Sequence, residues 1–153
     1  MSHLRLEEYL RPEWADHAGQ LSMRGLPGLF LSAAEAILGD CGLDIHRGGG
    51  SLLRARQAAY RLRRLEKVGE PVRVESMVIE VERDAVRFFH VLYRVRVGNR
   101  LATADEVVRQ ETPHGDPVDF PDEVRRELEA IKARHDELAR PEGLGQGVCF
   151  SQP

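Results

Sequence analysis

Residues 11–41 read RPEWADHAGQLSMRGLPGLFLSAAEAILGDC, and two patterns lie side by side in them. Asp16 precedes Gly19 in a short polar segment, the composition of a tight turn. From Leu26 the spacing changes. Leu26, Leu29, Phe30, Ala33 and Ile37 recur at helical intervals, Pro27 stands where a first helical turn tolerates proline, and Gly39 and Gly42 stop the run. A helix is therefore expected from about Leu26 to Asp40. Ser32, Ala34 and Ala36 keep its other sides small, which predicts protein around most of its circumference. A helix start presents unpaired N–H groups and a positive dipole end, so Asp16 is a carboxylate delivered to a place where an oxygen gaining negative charge is stabilised. The competing reading is that Asp16 caps its own turn by accepting the N–H of Ala18 or Gly19.

Working outward, Leu4, Leu6, Tyr9 and Leu10 suggest a short first strand over residues 4–11, with a strand-like lead-in ending at Trp14. On the other side, His46–Gly50 holds three consecutive glycines without a Gly-Lys-Ser/Thr ending, so it is expected to be a connector rather than a phosphate loop. Leu52–Leu65 alternates, with Leu53, Ala55 and Ala59 on one side and Arg54, Arg56, Ala58, Tyr60 and Leu62 on the other. After a break at Gly69–Pro71, Val72–Val81 places Met77, Ile79 and Val81 on one face. Arg83 and Asp84 make a turn, and Phe89, Val91, Tyr93, Val95 and Val97 then oppose His90, Arg94 and Arg96. Gly98-Asn99 signals a two-residue hairpin into Leu101–Glu111.

Short connections mean antiparallel neighbours. The predicted fold is α+β, an antiparallel sheet of five to six strands wrapped around one central helix, and missing crossover helices exclude a doubly wound fold. Pro121 opens a second helix with the stripe Val124, Leu128, Ile131, His135 and Leu138 before Pro141. One domain over residues 1–140 is expected, with 141–153 an extended or flexible tail unless it docks on a partner subunit.

With 153 residues and a net charge of −3, the chain can bury one core and has no global attraction for nucleic acid or an anionic membrane. The opening MSHLRLEEYL has acids where a signal peptide needs an apolar core, so a cytoplasmic protein is expected. Cys41 and Cys149 lack the spacing of a metal site and read as packed or idle thiols.

Trp14, Asp16, Ala18 and Gly19, followed by the helix, resemble the 4-hydroxybenzoyl-CoA thioesterase branch of the hotdog-fold superfamily, whose members place an Asp-x-x-Gly turn just before the helix. Pro121–Arg126, His135, Leu138, Pro141, Glu142 and Gly143 resemble the C-terminus of a subgroup associated with carnitine and betaine metabolism, which also begins with an Arg-Pro-Glu-Trp-like stretch. That subgroup usually reads Asp-x-Asn-Gly-His-Met. Here Gln20 replaces the His, and Ala18 follows the Asp-x-Ala-Gly pattern of the hydroxybenzoyl branch.

The resemblance implies an acyl-CoA thioesterase with no cofactor beyond the coenzyme A thioester itself. Asp16 would attack the carbonyl or activate water, and the main-chain N–H near Met23 would donate to the oxyanion. Gly19 would let the backbone approach the thioester, and Gln20 would hold a water or the acyl group. Arg54 and Arg56 would meet coenzyme A phosphates, although a solvated strand edge or subunit contact explains that basic run equally. The resemblance also implies a homodimer or homotetramer with the active site between subunits. Glu35, on the central helix, is the second candidate acid, although its place on the less apolar side favours a hydrogen-bonded structural glutamate. Two other functions stay open: a non-catalytic acyl-CoA-binding or regulatory hotdog protein, and a hotdog enoyl-CoA hydratase. His17 reads as a loop residue or general base, and His135 as a packed histidine.

Overall fold

The computed structural model describes residues 4–44 and 51–145, so the readings of His46–Gly50, Cys149 and the end of the tail lie outside the described residues. The elements are β1 (Leu4–Tyr9), α1 (Leu26–Asp40), β2 (Leu52–Leu62), β3 (Pro71–Val81), β4 (Ala85–Arg94), β5 (Arg100–Glu111) and α2 (Asp122–Asp136). The strands form one antiparallel sheet in the order β1-β3-β4-β5-β2. This is the expected α+β architecture, with five strands curving about α1.

Helix α1 has the bounds its periodicity predicts and buries Leu26, Leu29, Phe30, Ala33, Ala34 and Leu38. Its end follows from Gly42, whose φ of 102° suits glycine alone. With that conformation, Gly42 N–H donates to Gly39 O and Leu43 N–H to Leu38 O, which satisfies carbonyls the helix would leave bare.

The core under α1 has two parts. Trp14, Leu21, Leu26 and Phe30 pack with Tyr60 and Leu62 at one end of β2. Leu38, Leu53, Val108, Phe120, Val124 and Leu128 pack at the other. Helix α2 lies against β3, where β1 stops covering it: β1 pairs only as far as Ser76, and the Val78 N–H beyond donates to His135 Nδ1 at 2.9 Å. His135 is thus the packed histidine that its apolar stripe suggests.

Strand β4 is buried on both faces. Phe88 and His90 lie under α1, while Phe89 and Val91 join Met77 and Ile79 on the outer face, covered by Leu138 and Leu144. The described tail therefore lies on its own sheet, and Gly145 N–H donates to Asp105 Oδ2 at 2.9 Å.

Four local readings change. Pro12–Trp14 is a 3-10 turn, not the end of a strand, because proline opens it and Trp14 folds inward. The β4–β5 link spans Val95–Asn99 instead of two residues, closed by Arg94 N–H on Asn99 O. A bulge at Arg56 shifts the β2 register between Ala55 and Gln57, so Leu53 and Ala55 share the helix-facing side with Ala58, Tyr60 and Leu62 rather than with Ala59. Another at Ile79 returns Val81 to the helix side, away from Met77.

Candidate active site

The segment between β1 and α1 is latched to the β2–β3 connection. Gly69 N–H donates to Leu10 O, Val68 N–H to Gly19 O at 2.9 Å, and Leu21 N–H to Glu66 O at 2.7 Å. Glu66 is itself buried and accepts from its neighbour Lys67 N–H and from Arg94. Between these ties the chain makes a closed turn, with Asp16 N–H donating to Gln20 O at 2.8 Å and Gly19 N–H to Asp16 O at 3.0 Å. Gly19 has a φ of 75°, which a side chain would strain.

Asp16 is exposed, and its Oδ1 accepts the N–H groups of Ala18 at 2.9 Å and Gln20 at 3.1 Å. The turn-capping role is therefore present. It engages one carboxylate oxygen, and among the described residues Oδ2 takes no hydrogen bond.

A second contact carries this turn to the helix. Gly25, the residue before α1, lies so close to the Trp14 backbone that a Cβ built there would sit 1.9 Å from Trp14 O. The Trp14 ring lies beside Gly28 in the first turn of α1, and Arg11 stacks over it at 4.8 Å. Ser22 opens a 3-10 turn over Met23–Gly25, its Oγ accepting Gly25 N–H at 3.3 Å. No backbone bond engages the Met23 N–H among the described residues. Asp16, Gly19, Gln20 and Met23 thus belong to one rigid corner leading into α1. Glu35 lies further along α1, half-buried, and His17 is exposed in the turn.

Arg54 and Arg56 are not part of that corner. They belong to the opposite end of β2, where both meet buried Glu111, at 2.9 Å from Oε1 and 2.5 Å from Oε2. Arg109 joins the same carboxylate at 2.8 Å and donates to Gly115 O. Three guanidinium groups share one carboxylate, so the cluster keeps positive charge. Burial opposes ionisation of Glu111, and the hydrogen bonds and charges of Arg56 and Arg109 overcome it, holding the carboxyl below its ordinary 4.5. A depressed carboxyl contributes stability above its unfolded pKa and loses it as pH falls through the folded value. Glu111→Gln should therefore lower the urea midpoint at pH 7, with the gap to wild type closing below pH 4.5; a gap independent of pH contradicts the assignment.

Cys41, half-buried after α1, has its thiol pushed up to about 11, first by burial and then by Glu127 and Asp40. At neutral pH it should carry about 100-fold less thiolate than a free cysteine, and peptide mapping after iodoacetamide should find it correspondingly slow. Among the described residues no group of His, Cys, Asp and Glu is placed to hold a metal ion, and no helix is long and apolar enough to cross a membrane.

Gly25 is the residue that sequence reasoning passed over. A Gly before Leu-Pro at a helix start has no special composition, and only the approach of Trp14 shows its role.

Relatives share this architecture. A betainyl-CoA thioesterase of Pseudomonas aeruginosa is 29% identical over 142 residues, covering 90% of this chain and 88% of that protein. A Staphylococcus aureus protein solved in complex with CoA superposes with a TM-score of 0.81 at 14% identity, covering 99% of this chain and 98% of that one. A 1,4-dihydroxy-2-naphthoyl-CoA thioesterase from Synechocystis superposes with a TM-score of 0.67 at 14% identity, over 88% of this chain and 98% of that one. Residues 10–128 match the thioesterase-like superfamily, and with the sheet order and the corner at Asp16 described above, the chain belongs to that superfamily and has its hotdog fold.

Proposed function

We propose that this thioesterase hydrolyses a coenzyme A thioester with a short polar acyl group, using Asp16 as nucleophile or general base. One observation carries the reading. The turn occupies Asp16 Oδ1 and leaves Oδ2 available, and the Gly25–Trp14 contact ties the chain two residues before Asp16 to the residue that precedes α1. Such preorganisation is what a developing oxyanion requires, since donors already in place need not reorganise. The main-chain N–H of Met23 is the donor to that oxyanion, and Gln20 orients a water or the acyl group.

Thiolate leaves readily, so the reaction needs a nucleophile and an oxyanion donor more than a strong acid. No cofactor enters beyond the CoA portion of the substrate. The surplus positive charge of Arg54, Arg56 and Arg109 suits coenzyme A phosphates. Those arginines lie at the far end of β2 from Asp16, so the active form is a homodimer or homotetramer in which one subunit's arginines serve another's Asp16 corner. The betainyl-CoA thioesterase relative motivates the choice of a short, polar acyl chain.

A thiol-release screen over betainyl-, other short polar, aromatic and long-chain acyl-CoAs tests this. Turnover concentrated in the short polar group is expected. Stoichiometric acyl-CoA binding with no thiol released would replace the reading with a binding protein, and hydration of an enoyl-CoA without thiol release would replace it with a hydratase.

A further inference from the structure

A polar line crosses the core beneath α1, apart from the Asp16 corner. Ser76 Oγ lies 2.6 Å from His90 Nδ1, His90 Nε2 lies 2.9 Å from Glu106 Oε1, and the Tyr60 hydroxyl lies 3.4 Å from Glu106 Oε2. Ser76, His90 and Glu106 are exposed by 2%, 0% and 1%. They come from three adjacent strands, with Ser76 directly opposite His90 and Glu106 opposite the neighbouring Phe88. Phe30 and Phe88 stack on the imidazole, with centroids 5.4 and 5.2 Å away.

The inventory of donors assigns the protons. Burial and then the Glu106 charge raise the Tyr60 pKa, so its hydroxyl keeps its proton and donates to the carboxylate. Glu106 Oε2 takes the tyrosine hydroxyl, and Oε1 is left to accept His90 Nε2–H. His90 Nδ1 is then bare and accepts the Ser76 hydroxyl. A serine hydroxyl on an imidazole whose other nitrogen is anchored by a carboxyl group is the constellation that activates serine, here with the two ring nitrogens exchanged.

The line ends at a cavity. Ser76 lines a space of about 230 Å³ between β1, α1 and α2, with Leu6, Ala33, Ile37 and Ile131 among its walls and with Arg5 and Arg134 balanced by Asp40 and Glu127. That is below the roughly 300–1,000 Å³ typical of drug-sized sites, and no residue of the Asp16 corner lines it.

We propose that Ser76, with His90 and Glu106, forms a second nucleophilic centre that takes the acyl group of a short-chain oxygen ester entering this cavity. Ser76 Oγ bonds to the ester carbonyl carbon while its proton passes to His90 Nδ1. The bond from that carbon to the alcohol oxygen then breaks, and His90 returns the proton to the departing oxygen. Water repeats the sequence on the acyl-serine, releasing the acid and restoring the Ser76 hydroxyl. Glu106 holds the imidazole in the required tautomer throughout.

The test is treatment of the full-length protein with a small dialkyl fluorophosphate, read by intact mass and peptide mapping, with 4-nitrophenyl acetate as a turnover probe. The expected result is a single adduct on Ser76, absent in Ser76→Ala and formed at the wild-type rate in Asp16→Asn. His90→Asn should slow the labelling by about 100-fold or more. No adduct on the folded wild-type protein, an adduct on another residue, or one that persists in Ser76→Ala overturns the proposal. Because the wild-type experiment needs no variant to fold, it decides the matter alone, and it is independent of the thioesterase assignment.

Discussion

Gly25→Ala should unseat the Asp16 corner and lower stability by about 3 kcal/mol, at the upper end of the cost of overpacking. The alanine Cβ would sit 1.9 Å from Trp14 O, 2.5 Å from Trp14 C and 2.7 Å from its Cα, all backbone atoms that cannot rotate away. Either the 3-10 turn over Met23–Gly25 or the one over Pro12–Trp14 must move; the first carries the Met23 N–H and the second leads into Asp16. For a chain of this size, about 3 kcal/mol corresponds to a melting temperature lower by roughly 6–12 °C. Thioester hydrolysis should fall by at least about 100-fold even at temperatures where the variant stays folded, because a misplacement of about 1 Å can remove that much rate.

Gly28→Ala is the matched control. Its Cβ would meet Trp14 Nε1 at 3.6 Å, an ordinary contact, and the site is inside α1. Replacing glycine within a helix reduces the entropy lost on folding, so this variant should be neutral or more stable by up to about 1 kcal/mol. Differential scanning calorimetry of the pair separates the two outcomes. Equal melting temperatures for both variants would contradict the close approach.

How much of this was legible beforehand depended on whether the information was local. Helix α1 was legible to its end residues, because the apolar spacing, Pro27 and the glycine stop all lie within its own sequence. The antiparallel sheet followed from short links, which permit little else. The faces of β2 and β3 were read wrongly past Arg56 and Ile79, since a single bulged residue reverses every later side chain and leaves no mark in composition. The partner of Arg56 is 55 residues away, so a basic run on a strand could not disclose the buried carboxylate it neutralises. His90 likewise read only as a polar residue sharing a face with Arg94 and Arg96. In a strand buried on both faces the alternation of residue types no longer marks a surface, and only the register places Ser76 and Glu106 beside it.

Within the corner, Asp16, Gly19 and the helix start were legible as neighbours. What the sequence left open was whether Asp16 caps its turn or does chemistry. The geometry removes the opposition, because the capping bonds use Oδ1 alone. That makes Asp16→Asn a clean substitution. The amide oxygen can still accept the N–H groups of Ala18 and Gln20, so the turn should persist and the melting temperature should change little. The other position becomes an NH₂ group, which can neither attack a carbonyl nor take a proton from water. Activity should drop by roughly 10²–10⁴-fold while acyl-CoA binding survives. For the wild-type enzyme, a single turnover in ¹⁸O-labelled water then tests for covalent attack: label in the Asp16 carboxylate means that water opened an acyl-Asp16 anhydride at the enzyme's own carbonyl.

The most direct measurement of the central claim is steady-state thiol release by Asp16→Asn beside the wild type, on the acyl-CoA that turns over fastest. A loss of at least about 100-fold in kcat at an unchanged melting temperature is the predicted result. Hydrolysis at the wild-type rate by a folded Asp16→Asn protein would contradict it.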